Sequence, residues 1–111
     1  MGNFKELIVW QKAKDLAVKI YRLTLDGEIS KDFGLRDQIR RSAVSIVSNI
    51  AEGDESGSDK MSIRYFNIAK GSSAELYTQL LIVKELNYIK GEELVRCIEE
   101  CERISFVFRR V

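Results

Sequence analysis

Residues 35–53 read LRDQIRRSAVSIVSNIAEG, and this stretch decides the fold. At about 100° per residue, one helical face of the stretch is an apolar stripe. Its members are Leu35, Ile39, Ala43, Ile46 and Ile50. A row of polar side chains runs beside the stripe and comprises Gln38, Ser42, Ser45, Asn49 and Glu52. Because polar groups at the margin of a core need partners, the stretch predicts a helical bundle with a hydrogen-bonding seam between helices.

The composition of the chain favours an all-α domain. Its 111 residues include no proline and only seven glycines, which suits long helices and argues against a fold of many short turns. A chain of this length is typical of one domain. We therefore predict that residues 1–111 form a single all-α domain, an antiparallel up-down-up-down four-helix bundle.

Apolar spacing and capping signals predict where the four helices lie. Their approximate bounds are residues 8–25, 33–53, 60–88 and 92–109. Asp26 and Gly27 are expected to end the first helix, and the EISKDFG segment that follows is predicted to be a loop in which Ser30 or Asp32 caps the second helix. Gly53 is expected to end the second helix.

The chain carries more apolar surface than one bundle needs. Beyond its core stripe, the second predicted helix has Val44, Val47 and Ala51 on another side, and residues 80–83 point nearly all round the third. The alternative is that the fourth helix and the N-terminal segment cover these positions. We predict that the chain forms a homo-oligomer.

Polar residues of the second and third predicted helices are expected to lock these helices together. If the two helices pair about the loop near Ser56, Glu75 comes close to Arg36 and Arg41. The predicted structural lock comprises Gln38, Arg41, Ser42, Asn49, Glu52, Glu75 and Gln79. A polar or ionic lock between the helices is expected rather than catalysis by Glu52 or Glu75, because no nucleophile or phosphate cradle converges on them.

Gly71 lies inside the third predicted helix, where glycine costs about 1 kcal/mol relative to alanine. The same pairing places Gly71 and Ser72 opposite Arg41 and Ser42. We therefore predict that Gly71 and Ser72 mark a close approach between the second and third helices.

The residue types present disfavour enzymatic chemistry. The chain has no histidine, which removes the commonest general base and the Ser-His and Cys-His nucleophile pairs. Cys97 and Cys101 lie one helical turn apart and cannot complete an ordinary four-ligand zinc site, so we predict buried, inert thiols. No catalytic residue, metal, cofactor or small-molecule substrate is predicted.

The charges allow only a local site for nucleic acid. Eighteen Lys and Arg residues balance 17 Asp and Glu residues, so no overall field attracts polyanions. Candidate RNA or DNA contacts are Lys12, Lys19, Arg22, Arg36 and Arg40. The alternative is an ordinary solvated surface. Repetition of the patch around an oligomer would strengthen it.

No stretch of the sequence predicts a signal peptide or a membrane-spanning helix. The first apolar run, Leu7 to Trp10, is too short for a signal peptide, and charges interrupt every predicted helix well before the ~20 apolar residues that cross a bilayer. We therefore expect a cytoplasmic protein.

Three segments of the chain resemble the 23S rRNA intervening-sequence protein family. They are FKELIVWQKAKDLAVKIY at residues 4–21, GLRDQIRRSAVSIVSNIAEG at 34–53 and YFNIAKGSSAELYTQLLIVKELNYI at 65–89. The resemblance implies a four-helix bundle that assembles as a homopentamer. It also extends to the accessory proteins of diversity-generating retroelements, which implies nucleic acid or reverse transcriptase as a partner.

Two functional hypotheses follow. The first is a non-enzymatic oligomeric scaffold or binding surface for a macromolecular partner. The second is a nucleic-acid-binding accessory factor that uses the basic residues of the first two helices.

Overall fold

A computed structural model describes residues 3–109, and the regular structure in that range is entirely helical. A short 3-10 helix, Phe4–Glu6, comes first. The α-helices that follow are α1 (Ile8–Leu23), α2 (Gly27–Lys31), α3 (Phe33–Glu55), α4 (Asp59–Glu85) and α5 (Glu92–Phe108). The all-α class and the four long helices are therefore confirmed.

The joint between α1 and α3 differs from its prediction. α1 ends at Leu23, two residues early, and the predicted loop contains α2, whose first residue Gly27 has φ +75°. Ile29 of α2 is fully buried, which explains why this segment folds onto the core instead of remaining a loop. Asp32 caps α3 as predicted, because the Leu35 amide donates to its Oδ1 at 3.1 Å.

The other helix ends follow recognisable local signals. Ser58 caps α4 by accepting a hydrogen bond from the Met61 amide at 3.2 Å. α4 ends at Glu85, three residues before its predicted end, and Asn87 has φ +56°, a left-handed conformation that stops a helix. The Tyr88 hydroxyl then donates to Asp32 Oδ2 at 3.3 Å, which ties this joint to the start of α3. Burial, and then the Asp32 carboxylate, raise the pKa of Tyr88.

The four long helices surround one apolar core. α3 packs against α1 and α4, and α5 packs against α4 and α1, so α3 and α5 lie across the core from each other. Ser45 of α3 meets Ser72 of α4, and Gly53 of α3 meets Phe66 of α4. Residue numbers therefore rise along α3 in the direction in which they fall along α4. The fully buried core residues include Leu16, Ile20, Ile39, Ile46, Ile50, Leu76, Leu80 and Ile104. Within residues 3–109, no helix is both long and apolar enough to cross a membrane.

Candidate functional site

A shallow apolar groove, which we call the α1/α3 groove, lies on the outer surface between these two helices. Its volume is about 580 Å³. The lining includes Phe4, Trp10, Val18, Tyr21, Val44, Val47 and Ala51, with Lys14 and Arg22 at the same surface. Val18, Tyr21 and Val44 are each more than 40% exposed, at 42%, 43% and 43%. These apolar side chains therefore remain available for contact outside the core.

The N-terminal segment forms one end of the α1/α3 groove. The Phe4 and Trp10 rings meet edge to face with their centres 5.2 Å apart, and the Lys14 ammonium lies 5.8 Å from the Trp10 ring centre. Gln11 Nε2 donates to the Lys5 carbonyl at 2.8 Å and holds the segment against α1. The groove therefore has a defined wall at this end.

Two of the candidate nucleic-acid contacts are engaged by other residues of the same chain. Arg40 Nε donates to Thr24 Oγ1 at 2.9 Å, and its guanidinium lies 4.7 Å from the Tyr21 ring centre. Arg36 pairs with Asp37 at 3.0 Å. The Arg40 contacts stabilise the joint between α1 and α3.

The other three candidates lie on α1, and all are exposed. In the part of the chain that the structure describes, Lys12, Lys19 and Arg22 form no ion pair. Arg22 lines the α1/α3 groove, whereas Lys19 lies near Cys97 of α5. The basic candidates therefore do not all lie on one surface.

A hydrogen-bonding seam joins α3 to α4, as the polar row predicts. The Ser45 and Ser72 hydroxyls are 2.7 Å apart. Asn49 Nδ2 donates to the Ser45 carbonyl at 2.8 Å and to the Ser45 hydroxyl at 3.1 Å. Ser72 is therefore at the contact between the two helices, and Asn49 supports the seam through Ser45, a member of the polar row that the predicted lock omits.

The ionic part of the predicted lock does not form among residues 3–109. Gln38, Arg41, Glu52 and Glu75 are exposed there, without a hydrogen bond or ion pair from their side chains. The prediction is wrong because these four side chains lie on exposed faces of α3 and α4, whereas Ser45 and Ser72 make the contact between the helices. The predicted lock has two further members. Ser42 is buried, at 4% exposure, and Gln79 is half-buried, with an Oε1 atom that accepts no hydrogen bond from the described residues.

The close approach of α3 and α4 occurs at Gly53, and the prediction for Gly71 is wrong. A Cβ atom on Gly53 would lie 2.6 Å from Phe66 Cε1, whereas a Cβ on Gly71 would have no neighbour within 4 Å in the described range. Gly53 continues α3 as a buried residue instead of ending it. The sequence held a signal for this role, because Gly53 lies two helical turns after Ile46 on the core stripe.

A second polar cluster, which the sequence did not single out, lies between α4 and α5. Ser105 donates to Ser73 Oγ at 2.9 Å, and Ser73 donates to the Lys70 carbonyl at 2.7 Å. The Cys101 thiol donates to the Ser73 carbonyl at 3.4 Å. Ser73 is fully buried, and a carbonyl oxygen accepts its hydrogen bond, so this cluster has the character of a structural link and not of an activated nucleophile.

The two cysteines are buried, as predicted, at 1% exposure for Cys97 and 0% for Cys101. Burial raises the pKa of the Cys97 thiol from 9.0 to about 11, with the Glu93 carboxylate adding to the effect. Burial also raises the pKa of Cys101 from 9.0 to about 12. Both groups are neutral thiols near pH 7. No three Cys, Asp or Glu residues of the described range cluster as metal ligands.

Comparison with known proteins identifies the family. A family model described as 23S rRNA-intervening sequence protein matches residues 5–109. The chain belongs to this family. The match covers nearly the whole intervening-sequence protein and confirms the resemblance carried by the three sequence segments.

A solved structure supports the same assignment for this intervening-sequence protein. It is described as a protein with unknown function from the S23 ribosomal protein family of Bacteroides thetaiotaomicron VPI-5482. The two chains are 26% identical, the match covers 93% of this chain and 96% of the other, and the TM-score is 0.83. No curated protein matches significantly.

Proposed function

We propose that this protein is a non-enzymatic, cytoplasmic homo-oligomer whose antiparallel up-down-up-down bundles form a scaffold or binding surface for a macromolecular partner. The observation that carries this proposal is the α1/α3 groove. It presents half-exposed Val18, Tyr21 and Val44 on the outside of a bundle that already has a filled core. Contiguous exposed apolar surface of this kind is typical of association sites.

Other surface features support association. Ile82, Phe106 and Val107 are 45%, 57% and 50% exposed on α4 and α5. The family resemblance favours five copies.

The chemistry of the polar residues supports a non-enzymatic role. The chain lacks histidine, both thiols have raised pKa values, and the buried Ser73 hydroxyl donates to a backbone carbonyl. These features leave no activated nucleophile paired with a general base in the part of the chain that the structure describes.

The native mass of the purified protein tests the proposal. For nuclease-treated protein at micromolar concentration, sedimentation equilibrium is expected to give a multiple of the 12.8 kDa subunit mass, with five copies as the favoured value. Native mass spectrometry on the same sample gives the copy number independently. A monomer in both measurements would contradict the proposal.

The charge of α1 favours a second candidate function. In this function the protein is an accessory factor whose partner is RNA, DNA or a reverse transcriptase. α1 carries four cations and one carboxylate, and Lys12, Lys19 and Arg22 lack an ion pair within residues 3–109. Phosphate groups are the natural ligands of such exposed cations. A ring of subunits would repeat this helix and multiply its contacts.

Fluorescence anisotropy with labelled structured RNA and duplex DNA tests the second candidate. Binding is expected to weaken as salt rises, and the double variant Lys12→Glu, Lys19→Glu is expected to reduce the salt slope by about 1 for each phosphate that it no longer neutralises. Lys90→Glu, which changes an exposed cation beyond the end of α4, is the matched control. Absence of binding at low salt would rule out this candidate and leave the scaffold.

A further inference from the structure

The outer side of α5 carries apolar and acidic side chains in one row, which we call the α5 stripe. It consists of Val95, Glu99, Glu102 and Phe106, which recur every three or four residues and so share one helical face. Val95 is 38% exposed and Phe106 is 57% exposed, and both glutamates are also exposed. The Arg109 guanidinium lies 5.7 Å from the Phe106 ring centre at the end of the stripe.

The carboxylates of the α5 stripe differ from the others of this helix. Glu92 and Glu93 pair with Arg96, and Glu100 pairs with Arg103. The two stripe carboxylates form no ion pair with any cation in residues 3–109. Two unpaired negative charges therefore accompany exposed apolar side chains on the same face.

The α1/α3 groove has the complementary character. Lys14 and Arg22 lie on its α1 wall beside apolar residues. Lys14 forms an exposed ion pair with Asp15 at 3.4 Å, and Arg22 has no ion pair within the described range. The opposition extends to the whole helices, because α1 carries four cations and one carboxylate, whereas α5 carries five carboxylates and two arginines. Complementary charges of this kind orient an interface and select the correct partner.

The two surfaces also match in length. Val95 and Phe106 are separated by about 16 Å along α5, at a rise of about 1.5 Å per residue. The α1 wall of the groove, from Trp10 to Arg22, spans about 18 Å on the same basis. One helix face therefore fits along the groove with its two carboxylates between the cations at Lys14 and Arg22.

We propose that the α1/α3 groove receives the α5 stripe of a second copy of this chain, so that subunits associate head to tail. This inference rests on the proposed homo-oligomer and identifies its interface. The groove and the stripe lie on different sides of the bundle, because α5 and α3 face each other across the core. Each copy therefore donates α5 to one neighbour and receives α5 from another, an arrangement that forms a ring where the rotation between neighbours closes.

Charge disfavours the symmetric alternatives. Packing groove on groove would bring Lys14 and Arg22 of one copy against the same cations of its partner. Packing stripe on stripe would oppose Glu99 and Glu102 with their own copies. Like charges across an interface are destabilising, so the mixed contact is the favoured one.

Paired charge reversals test the head-to-tail contact. The groove variant is Lys14→Glu with Arg22→Glu, and the stripe variant is Glu99→Lys with Glu102→Lys. Each is expected to raise the dissociation constant of the oligomer about a hundredfold, because the facing charges then repel. The variant with all four changes restores opposite charges across the contact and is expected to regain most of the wild-type mass. Reversal of Lys60 and Lys90, two exposed cations outside both surfaces, is the control and should leave the mass unchanged.

Sedimentation equilibrium gives the masses, and the circular dichroism spectrum of each variant verifies that its helices form. A wild-type oligomer that neither paired reversal dissociates would overturn the interface while leaving the proposed homo-oligomer intact. Dissociation by both reversals without recovery in the fourfold variant would also overturn it. A monomeric wild-type protein would refute the proposed function itself, and the inference with it.

Discussion

Ile29→Ala is expected to lower the free energy of unfolding by about 2–5 kcal/mol, the usual cost of truncating a fully buried aliphatic side chain. Ile29 has no exposed surface and is the one buried residue of α2. The short helix has only five residues, too few to be stable by itself. Truncation of Ile29 should therefore also release α2 from the core.

Leu25→Ala is the matched control for Ile29→Ala. Leu25 belongs to the same joint but is 68% exposed, so its truncation is expected to change the free energy of unfolding by less than about 0.5 kcal/mol. Urea titration at one fixed protein concentration measures both variants, because oligomer stability depends on concentration. Equal decreases for the two variants would show that Ile29 is not the anchor of α2.

Two glycine substitutions are expected to change stability in opposite directions. Gly53→Ala would place a methyl group 2.6 Å from Phe66 Cε1, so we expect a decrease of about 1–3 kcal/mol in the free energy of unfolding from overpacking. Gly71→Ala meets open space on an exposed side of α4, so we expect an increase of about 0.5–1 kcal/mol from helix propensity.

Thermal and urea unfolding measure the stability of both variants. The two results can be compared directly, because each variant adds a single methyl group inside a long helix. The sign of the change is therefore the decisive observation. A decrease in stability at Gly71 as large as that at Gly53 would mean that a second surface covers Gly71. An increase at Gly53 would show that Phe66 moves aside without cost.

The long helices were predictable because their apolar residues recur with a helical period over many turns. α2 was not, because a five-residue helix with one apolar anchor at Ile29 has no period to recognise. Its burial depends on space that the other helices create. The bounds of α3 and α4 were close to their predictions because a helical period runs through both of them.

The pattern of the sequence could not predict which residues of α3 lie opposite which residues of α4. A pairing about Ser56 places Ser45 opposite residue 67, whereas Ser45 meets Ser72, five residues further along α4. The hydrogen-bonding seam survives the shift because small hydroxyl residues occur at several positions. The ionic lock fails for another reason, since Arg41 and Glu75 lie on exposed faces of their helices. The contact of Arg40 with Tyr21 depends likewise on how α1 and α3 cross.

The buried thiols make this chain a convenient host for site-specific spectroscopy. Cys97 and Cys101 are its two cysteines, and their raised pKa values leave little thiolate to react with maleimide or iodoacetamide near pH 7. A new cysteine on an exposed position such as Lys90 would accept a dye or spin label selectively. Subunit separations could then be measured without removing either native cysteine.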